Sequence, residues 1–290
     1  MLESVLLKNP PPSPESHKTQ WQKHINDHAG LKAIIETINA PKGKALIFSH
    51  DDPDGITSGL ILKRTLTAKG WNAVLKLPEG FMLSPQQFEQ ALQEHPDTKA
   101  VFISDKGTLA PYNPYGEKLP VYIIDHHPSP QAPDSCKVYN PALASYIPAS
   151  TSLLAHGIAT LCGTREAFDD FLCLVGLKGD WTVEPIRFGV NGEFAKPFMV
   201  EYGMAFKKLF EAVNERPTMF DAEQREGTCL LSRVAEFVHA VGGGGFSYFY
   251  HDRHESLKGV DHAACIASAL EKMADKSHDL VKLKSLEDFV

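Results

Sequence analysis

The residues Val121-Tyr-Ile-Ile-Asp-His-His127 form an apolar run of strand character that ends in a carboxylate and two imidazoles. Side by side, these groups are ligands for a divalent metal. The pattern occurs twice earlier: Ala45-Leu-Ile-Phe-Ser-His50 leads into Asp52 and Asp54, and Ala100-Val-Phe-Ile-Ser-Asp105 stops on Asp105. In an open parallel sheet, functional groups collect outside the carboxyl ends of the strands, so three such endings predict one shared site. His50, Asp52 and Asp54 are spaced by two, which on an extended segment turns all three toward one cavity and Asp51 away from it. Pro53 keeps Asp52 out of helical dihedrals and Gly55 permits a sharp turn. Thr57 or Ser58 is placed to cap the following helix, whose first amides favour an anion such as phosphate. Taken alone, that loop reads equally well as a capped strand-to-helix turn; with Asp105 and Asp125-His126-His127 beside it, a metal site is the better reading.

Mixed imidazole and carboxylate donors fit Mn²⁺ best and Zn²⁺, Fe²⁺ or Co²⁺ less strictly, whereas Mg²⁺ prefers oxygen donors; Mn²⁺ is the expected ion, with Mg²⁺ or Co²⁺ as alternatives. The candidate ligands outnumber what one ion needs, so two ions sharing a bridging carboxylate is the economical arrangement. Paired ions about 3.5–4 Å apart hold both oxygens of a phosphoryl displacement, which points to hydrolysis of a phosphate ester.

The elements that must position these groups follow from alternation. Strands are predicted at 45–49, 72–77, 100–104 and 120–124 and near Lys137–Tyr139, with helices at 56–69, 84–95, 151–161 and 165–177, which gives an α/β fold with a parallel sheet flanked by helices. Trp21, Ile25, His28, Leu31, Ile35 and Ile38 mark one amphipathic helix over 21–40. His24 and His28 lie on it at i and i+4 without a carboxylate partner, and read as part of its face. Residues 1–20, with Pro10, Pro11, Pro12 and Pro14, read as a disordered tail. Beyond Asp180 the pattern is a smaller, mainly helical C-terminal α/β region, with helices at 193–213 and 221–240 and near His262–Lys272. Gly242–Gly245 and an aromatic run, Phe246–Tyr250, lie between them.

Composition sets limits. A net charge of -7 argues against a strongly basic groove for long polyanions. Five cysteines with no Cys-x-x-Cys pair argue against a disulfide framework. No apolar run approaches the roughly 18 residues of a membrane span, and no signal-peptide core is present, so a cytoplasmic protein without membrane contact is expected. The sequence does not specify an oligomeric state; a homodimer is compatible with it.

Four motifs together resemble the DHH phosphoesterases, named for the tripeptide found here as Asp125-His126-His127. His50-Asp-Asp-Pro-Asp-Gly-Ile-Thr-Ser-Gly59 resembles the family's first motif, especially the His-x-Asp-Ala-Asp-Gly form of RecJ-like nucleases, with Pro53 in place of alanine. Ile103-Ser-Asp105 resembles the second and Val175-Gly-Leu-Lys-Gly-Asp180 the fourth. The stretch from Asn140-Pro141 to Ser152 resembles the serine-containing segment before it. The resemblance covers residues 44–181 in the family's order, which implies a catalytic domain over 21–181 and a helical linker plus diverged or truncated accessory domain over 182–290.

The resemblance also implies roles. His50 and Asp52 hold one metal, Asp54, His126 and Asp180 a second, and Asp105 bridges them. Hydroxide between the two metals attacks phosphorus, His127 faces the substrate phosphate as donor or acid, and Asp125 orients a neighbouring imidazole. The accessory signature Gly-Gly-Gly-His-x-x-Ala-Ala-Gly is incomplete: the glycines, with Gly243 and Gly244 as candidate substrate contacts, run into Phe246-Ser247. Arg253 is a candidate ligand for a terminal phosphate. The implied substrate is a nucleotide, short oligonucleotide or single-stranded nucleic acid. Pyrophosphatases and exopolyphosphatases of the same family carry a carboxylate where Ile56 stands. A third alternative, a non-catalytic replication-associated scaffold, predicts lost ligands, and none is lost.

Overall fold

The computed structural model describes residues 16–40, 43–78, 80–144, 149–182, 194–213, 218–220, 228–242, 266–268, 270 and 271. Five strands, β1 (Lys44–Ser49), β2 (Asn72–Lys76), β3 (Thr98–Ser104), β4 (Val121–Ile124) and β5 (Lys137–Tyr139), form one sheet in the order β2-β1-β3-β4-β5. Every pairing in it is parallel. Among the described residues, the α-helices of six residues or more are α1 (His17–Asp27), α2 (Ala29–Asn39), α3 (Pro53–Ala68), α4 (Pro85–Glu94), α5 (Thr151–Cys162), α6 (Ala167–Gly179), α7 (Lys196–Glu201) and α8 (Leu230–Gly242).

Period-two alternation in the central strands sets the layering. Ala45, Ile47, Ala100, Phe102, Tyr122 and Ile124 enter one core, shared with α1, α2, α3, α5, α6 and α8. Leu46, Phe48, Val101, Ile103, Val121 and Ile123 enter a second core on the other face, closed by Phe88 and Ala91 of α4 with Tyr112 and Tyr115. Both faces of these strands are apolar, which is why the sheet must be covered on both sides. The chain passes from β1 outward to β2 and then crosses back to β3 on the far side of β1. The carboxyl ends of β1 and β3 therefore flank a topological switch point, where open α/β sheets place their ligands.

The expected single helix over 21–40 is two helices, because His28 is extended (φ -124, ψ 100). The break lets Gly30 press its backbone on Val138, where a Cβ would lie 1.6 Å from the carbonyl oxygen. The helical region also starts earlier than expected. Ser16 caps α1, and His17 and Gln20 are buried, so the expected disordered tail does not reach residues 16–20; residues 1–15 lie outside the described part. His17 Nε2 accepts from Trp21 Nε1 and meets His156 Nδ1, both at 2.9 Å, and His156 Nε2 meets Asp170 Oδ1 at 2.7 Å. This chain clips α1 onto α5 and α6.

The helix expected over 193–213 is α7, a 3-10 stretch Gly203–Phe210 and β6 (Ala212–Val213), which pairs antiparallel with β7 (Thr228–Cys229). The stretch is irregular at Phe206 (φ -108, ψ 25), which the apolar spacing does not reveal. Residues 266–268, 270 and 271 are helical, inside the helix expected near His262–Lys272. The four described cysteines are free and buried. No described helix is long and apolar enough to cross a membrane.

Candidate metal centre

Sheet hydrogen bonding continues one residue past each central strand. His50 N donates to Ser104 O at 3.2 Å, Asp105 N to Ile124 O at 3.0 Å and Asp125 N to Tyr139 O at 3.1 Å. The three strand ends are thus held side by side before any side chain is considered. Asp105 then turns with φ +58, a left-handed conformation that Asp tolerates better than bulkier residues, and Gly107 follows at φ +76. The chain leaves the sheet there with the Asp105 carboxylate buried at its edge.

The cap of α3 is Asp52 rather than Thr57 or Ser58: its Oδ1 accepts from Gly55 N at 2.8 Å. Pro53 explains this, since its fixed φ and missing N–H suit the first helical position and so start the helix earlier. Thr57 Oγ1 donates instead to Pro53 O at 2.7 Å, and Ser58 Oγ to Gly55 O at 2.9 Å. Asp54 consequently sits in the first helical turn, not on an extended segment, and strand alternation is not what aims it. Its fully buried carboxylate accepts from Thr151 N at 2.6 Å and Ser152 N at 2.8 Å, the first amides of α5.

The expected ligands lie in three overlapping groups, the third of which also takes in His127, expected to face the substrate: His50, Asp52 and Asp105; Asp54, His126 and Asp180; and Asp105, His126 and His127. Within each, the candidate ligand atoms all lie within 4.8 Å of one another. Asp105 belongs to two groups, with Oδ2 3.7 Å from His50 Nδ1 and Oδ1 3.5 Å from His126 Nε2. His50 Nδ1 is 2.9 Å from Asp52 Oδ2, and His126 Nε2 is 2.9 Å from Asp180 Oδ2. Yet His50 Nδ1, Asp105 Oδ2, His126 Nε2 and Asp180 Oδ2 are buried and complete no hydrogen bond. Close approach without hydrogen-bond alignment is what lone pairs directed at a common cation produce, so the donor set fits divalent metal.

The electrostatics agree. With protein groups alone, burial disfavours the imidazolium, but Asp105 and Asp52 outweigh it and push His50 up to about 10. Against the same burial, Asp105 and Asp180 push His126 up to about 12. Burial and the charges of Asp180 and Asp105 hold Asp54 well above the usual carboxylate range, and burial raises Asp180. Asp105 overcomes its burial and stays low, because His126 and His50 face it. The surplus of carboxylate is thus balanced by imidazolium protons that a cation could replace.

His127 is built differently. Its Nδ1 meets Asp125 Oδ1 at 2.8 Å, and its side chain is 38% exposed. Asp125 is fully buried, and its Oδ2 accepts from Thr108 Oγ1 at 2.9 Å and Asn140 Nδ2 at 3.3 Å. Asn140 Nδ2 also donates to His127 O at 2.8 Å. Burial opposes the His127 cation, but Asp125 and Asp105 raise it.

Several contributors carry no chemical signature in the sequence. Thr151 Oγ1 donates to Asp105 Oδ1 at 2.8 Å while its amide serves Asp54. Thr108 and Asn140 fix Asp125. Lys106 is fully buried and donates to the carbonyls of Pro78 and Gly80. Its burial lowers it to about 8 against the pull of Asp51 and Asp105. Asp51 lies 3.5 Å from His50 Nε2 and joins none of the ligand groups. His24 and His28 stack on each other at 5.1 Å, as packing groups. Gly243, Gly244 and Arg253 lie outside the described residues. Gly242, just before them, ends α8 against the loop: a Cβ there would lie 2.4 Å from Asp51 O.

The family model for the DHH family, N-terminal domain, matches residues 44–170. An uncharacterized protein of Methanocaldococcus jannaschii is 29% identical over 168 residues, 55% of this chain and 38% of that protein. The structure of RecJ in complex with Mn²⁺ from Thermus thermophilus covers 87% of this chain and 38% of its own, with TM-score 0.51 and 19% identity. The DHH domain of a member of a ribosomal protein family covers 91% and 61%, with TM-score 0.50 and 15% identity. At these identities the structures show a shared fold, and the chain spans less than two thirds of each relative.

Proposed function

We propose that the chain, whose residues 44–170 match the DHH family model, is a divalent-metal-dependent phosphoesterase acting on nucleotides, short oligonucleotides or single-stranded nucleic acid. The observation that carries this reading is the set of buried, unbonded ligand atoms on His50, Asp105, His126 and Asp180. His50 and Asp52 would hold one ion and Asp54, His126 and Asp180 the other, with Asp105 within reach of both sets. The imidazole and carboxylate donors favour Mn²⁺, the ion present in the RecJ structure that shares the fold. When bound, a pair of divalent ions supplies Lewis acidity toward phosphoryl oxygens and a strong nucleophile from water near neutral pH.

The chain's own groups then do the rest. Asp125 takes the Nδ1 proton side of His127, which leaves Nε2 to face the substrate and exchange a proton with the leaving oxygen. Thr151 fixes the angle of Asp105, and α5 fixes Asp54 through two amides. Residues 21–181 are the catalytic domain in this reading, and 182–290 the linker and accessory region, with Gly243, Gly244 and Arg253 as substrate contacts. Retention of all six ligand side chains favours an enzyme over a scaffold, and Ile56 disfavours a pyrophosphatase.

The experiment is a substrate panel with Mn²⁺: short oligonucleotides, cyclic dinucleotides, 3′-phosphoadenosine phosphates and pyrophosphate. Hydrolysis of a nucleotide ester that stops with chelator is expected. Two bound ions with no hydrolysis of any ester would leave the scaffold as the better reading.

A further inference from the structure

The loop between β2 and α4 leaves a large aromatic ring in water beside the metal centre. Phe81 is 37% exposed, and its neighbour Met82 is 56% exposed. The Phe81 ring stands edge-on to two site imidazoles, 5.4 Å from His50 at 90° and 4.9 Å from His127 at 75°. It therefore borders both the ligand side and the substrate-facing side of the site.

That exposure is not loop slack. Lys106 binds the carbonyls of Pro78 and Gly80 on one side of Phe81. On the other, Leu83 N donates to Tyr112 Oη at 3.2 Å, and Tyr115 Oη donates to Leu83 O at 2.8 Å. Leu83 itself is buried. Gly107 makes room for the ring, since a Cβ there would lie 2.9 Å from Phe81 Cε1. A hydrophobic ring held out on a loop anchored at both ends is a preformed surface, and exposed aromatic faces next to a phosphate site suit stacking.

Charge narrows the occupant. The leading charges acting on Asp54, Asp105 and Asp180 are those of one another, of Asp52 and of the site histidines. Lys106, whose charge does reach Asp51, Asp105 and Asp52, gives its ammonium to the loop carbonyls. Next to the reacting phosphate, the described wall at Phe81 offers an aromatic surface where a polyphosphate chain would need cations for its further phosphates.

We propose that Phe81 is a specificity-determining residue that stacks the base of the nucleotide whose phosphate enters the metal centre. The site then takes base-bearing esters in preference to pyrophosphate or polyphosphate. This rests on the phosphoesterase reading above.

The test compares wild type, Phe81→Leu and Phe81→Trp in the full chain with Mn²⁺. The substrates are a 5′-phosphorylated dinucleotide and the same molecule with abasic sugars. Leucine keeps an apolar side chain without a π face, so the preference for the dinucleotide over the abasic analogue, as a ratio of kcat/KM, falls about tenfold or more, within the range of base stacking, and mainly through KM. Tryptophan keeps the preference. Equal losses on both substrates would make Phe81 a support for the histidines and overturn the proposal. Calorimetric binding of adenosine 5′-monophosphate and of inorganic phosphate, run in parallel, needs no turnover. Weakened nucleotide binding by Phe81→Leu relative to phosphate supports the platform even if no ester is hydrolysed, in which case only the phosphoesterase reading fails; equal weakening, or none, overturns the platform.

Discussion

His126 Nε2 stands 2.9 Å from Asp180 Oδ2, and neither atom completes a hydrogen bond. The contact joins the end of β4 to the end of α6, 54 positions apart in the chain but adjacent at the switch point of the sheet. Once the imidazole gives up its proton, two ligand atoms this close can both bind one cation lying to their side.

Loading the site should therefore stabilise the fold. A ligand that binds only the native state at about a hundredfold its Kd adds roughly 2.7 kcal/mol, which for a domain of this size is about 5–10 °C in Tm. Mn²⁺ should raise the melting temperature by several degrees and a chelator should reverse it. A melting temperature indifferent to both would contradict a metal centre.

The pH dependence has a defined sign. His50, at about 10, and His126, at about 12, lie above their unfolded value of about 6.5. Groups raised in this way contribute stability that is complete below about pH 6.5 and is lost as pH rises toward 10 and then 12, so the chelated protein should lose stability on the alkaline side. Mn²⁺ must displace these protons, so its affinity should rise with pH, with proton release still present at pH 8. Titration calorimetry in buffers of different ionisation enthalpy measures that release; none at pH 8 would remove the imidazoles from the ligand set.

Thr151 is the least conspicuous of the supporting residues and gives a clean substitution. Thr151→Val deletes the hydroxyl that serves Asp105 and keeps the amide that serves Asp54. A buried carboxylate that loses a donor costs about 1–3 kcal/mol. Urea unfolding of the chelated variant should show that loss, and a neutral result would mean that the hydroxyl does not hold Asp105.

Asp125→Asn tests how His127 is oriented. The amide cannot dictate the imidazole tautomer as the carboxylate does, so kcat should fall about 10–100-fold. Metal content should persist, because Asp125 joins none of the three ligand groups. Loss of metal in this variant would move Asp125 from orienting His127 to holding the cluster.

The strand endings made most of this site legible in the sequence. Polar residues that follow buried runs at His50, Asp105 and Asp125 are local signals, and parallel pairing of β1, β3 and β4 brings them together without further information. Asp54 was legible as a residue but not as geometry: Pro53 starts the helix one turn early, so its carboxylate is aimed by α3 and received by the amides of α5. Backbone amides carry no side-chain signature, and hydroxyls such as Thr108 and Thr151 occur throughout the chain without function. The break at His28 escaped for a related reason, since the apolar spacing of α1 and α2 stays continuous while the constraint comes from Gly30 meeting Val138.

The most direct test of the central claim compares metal content per chain with turnover in Asp105→Ala and His127→Ala. Asp105 faces His50 on one side and His126 on the other. Its loss should therefore collapse both metal occupancy and hydrolysis of a dinucleotide. In the proposed reading His127 faces the substrate, so His127→Ala should keep most of the metal and lose kcat, whereas loss of metal would make it a ligand beside Asp105 and His126. If Asp105→Ala retained two ions and normal turnover, the two-ion centre would be contradicted.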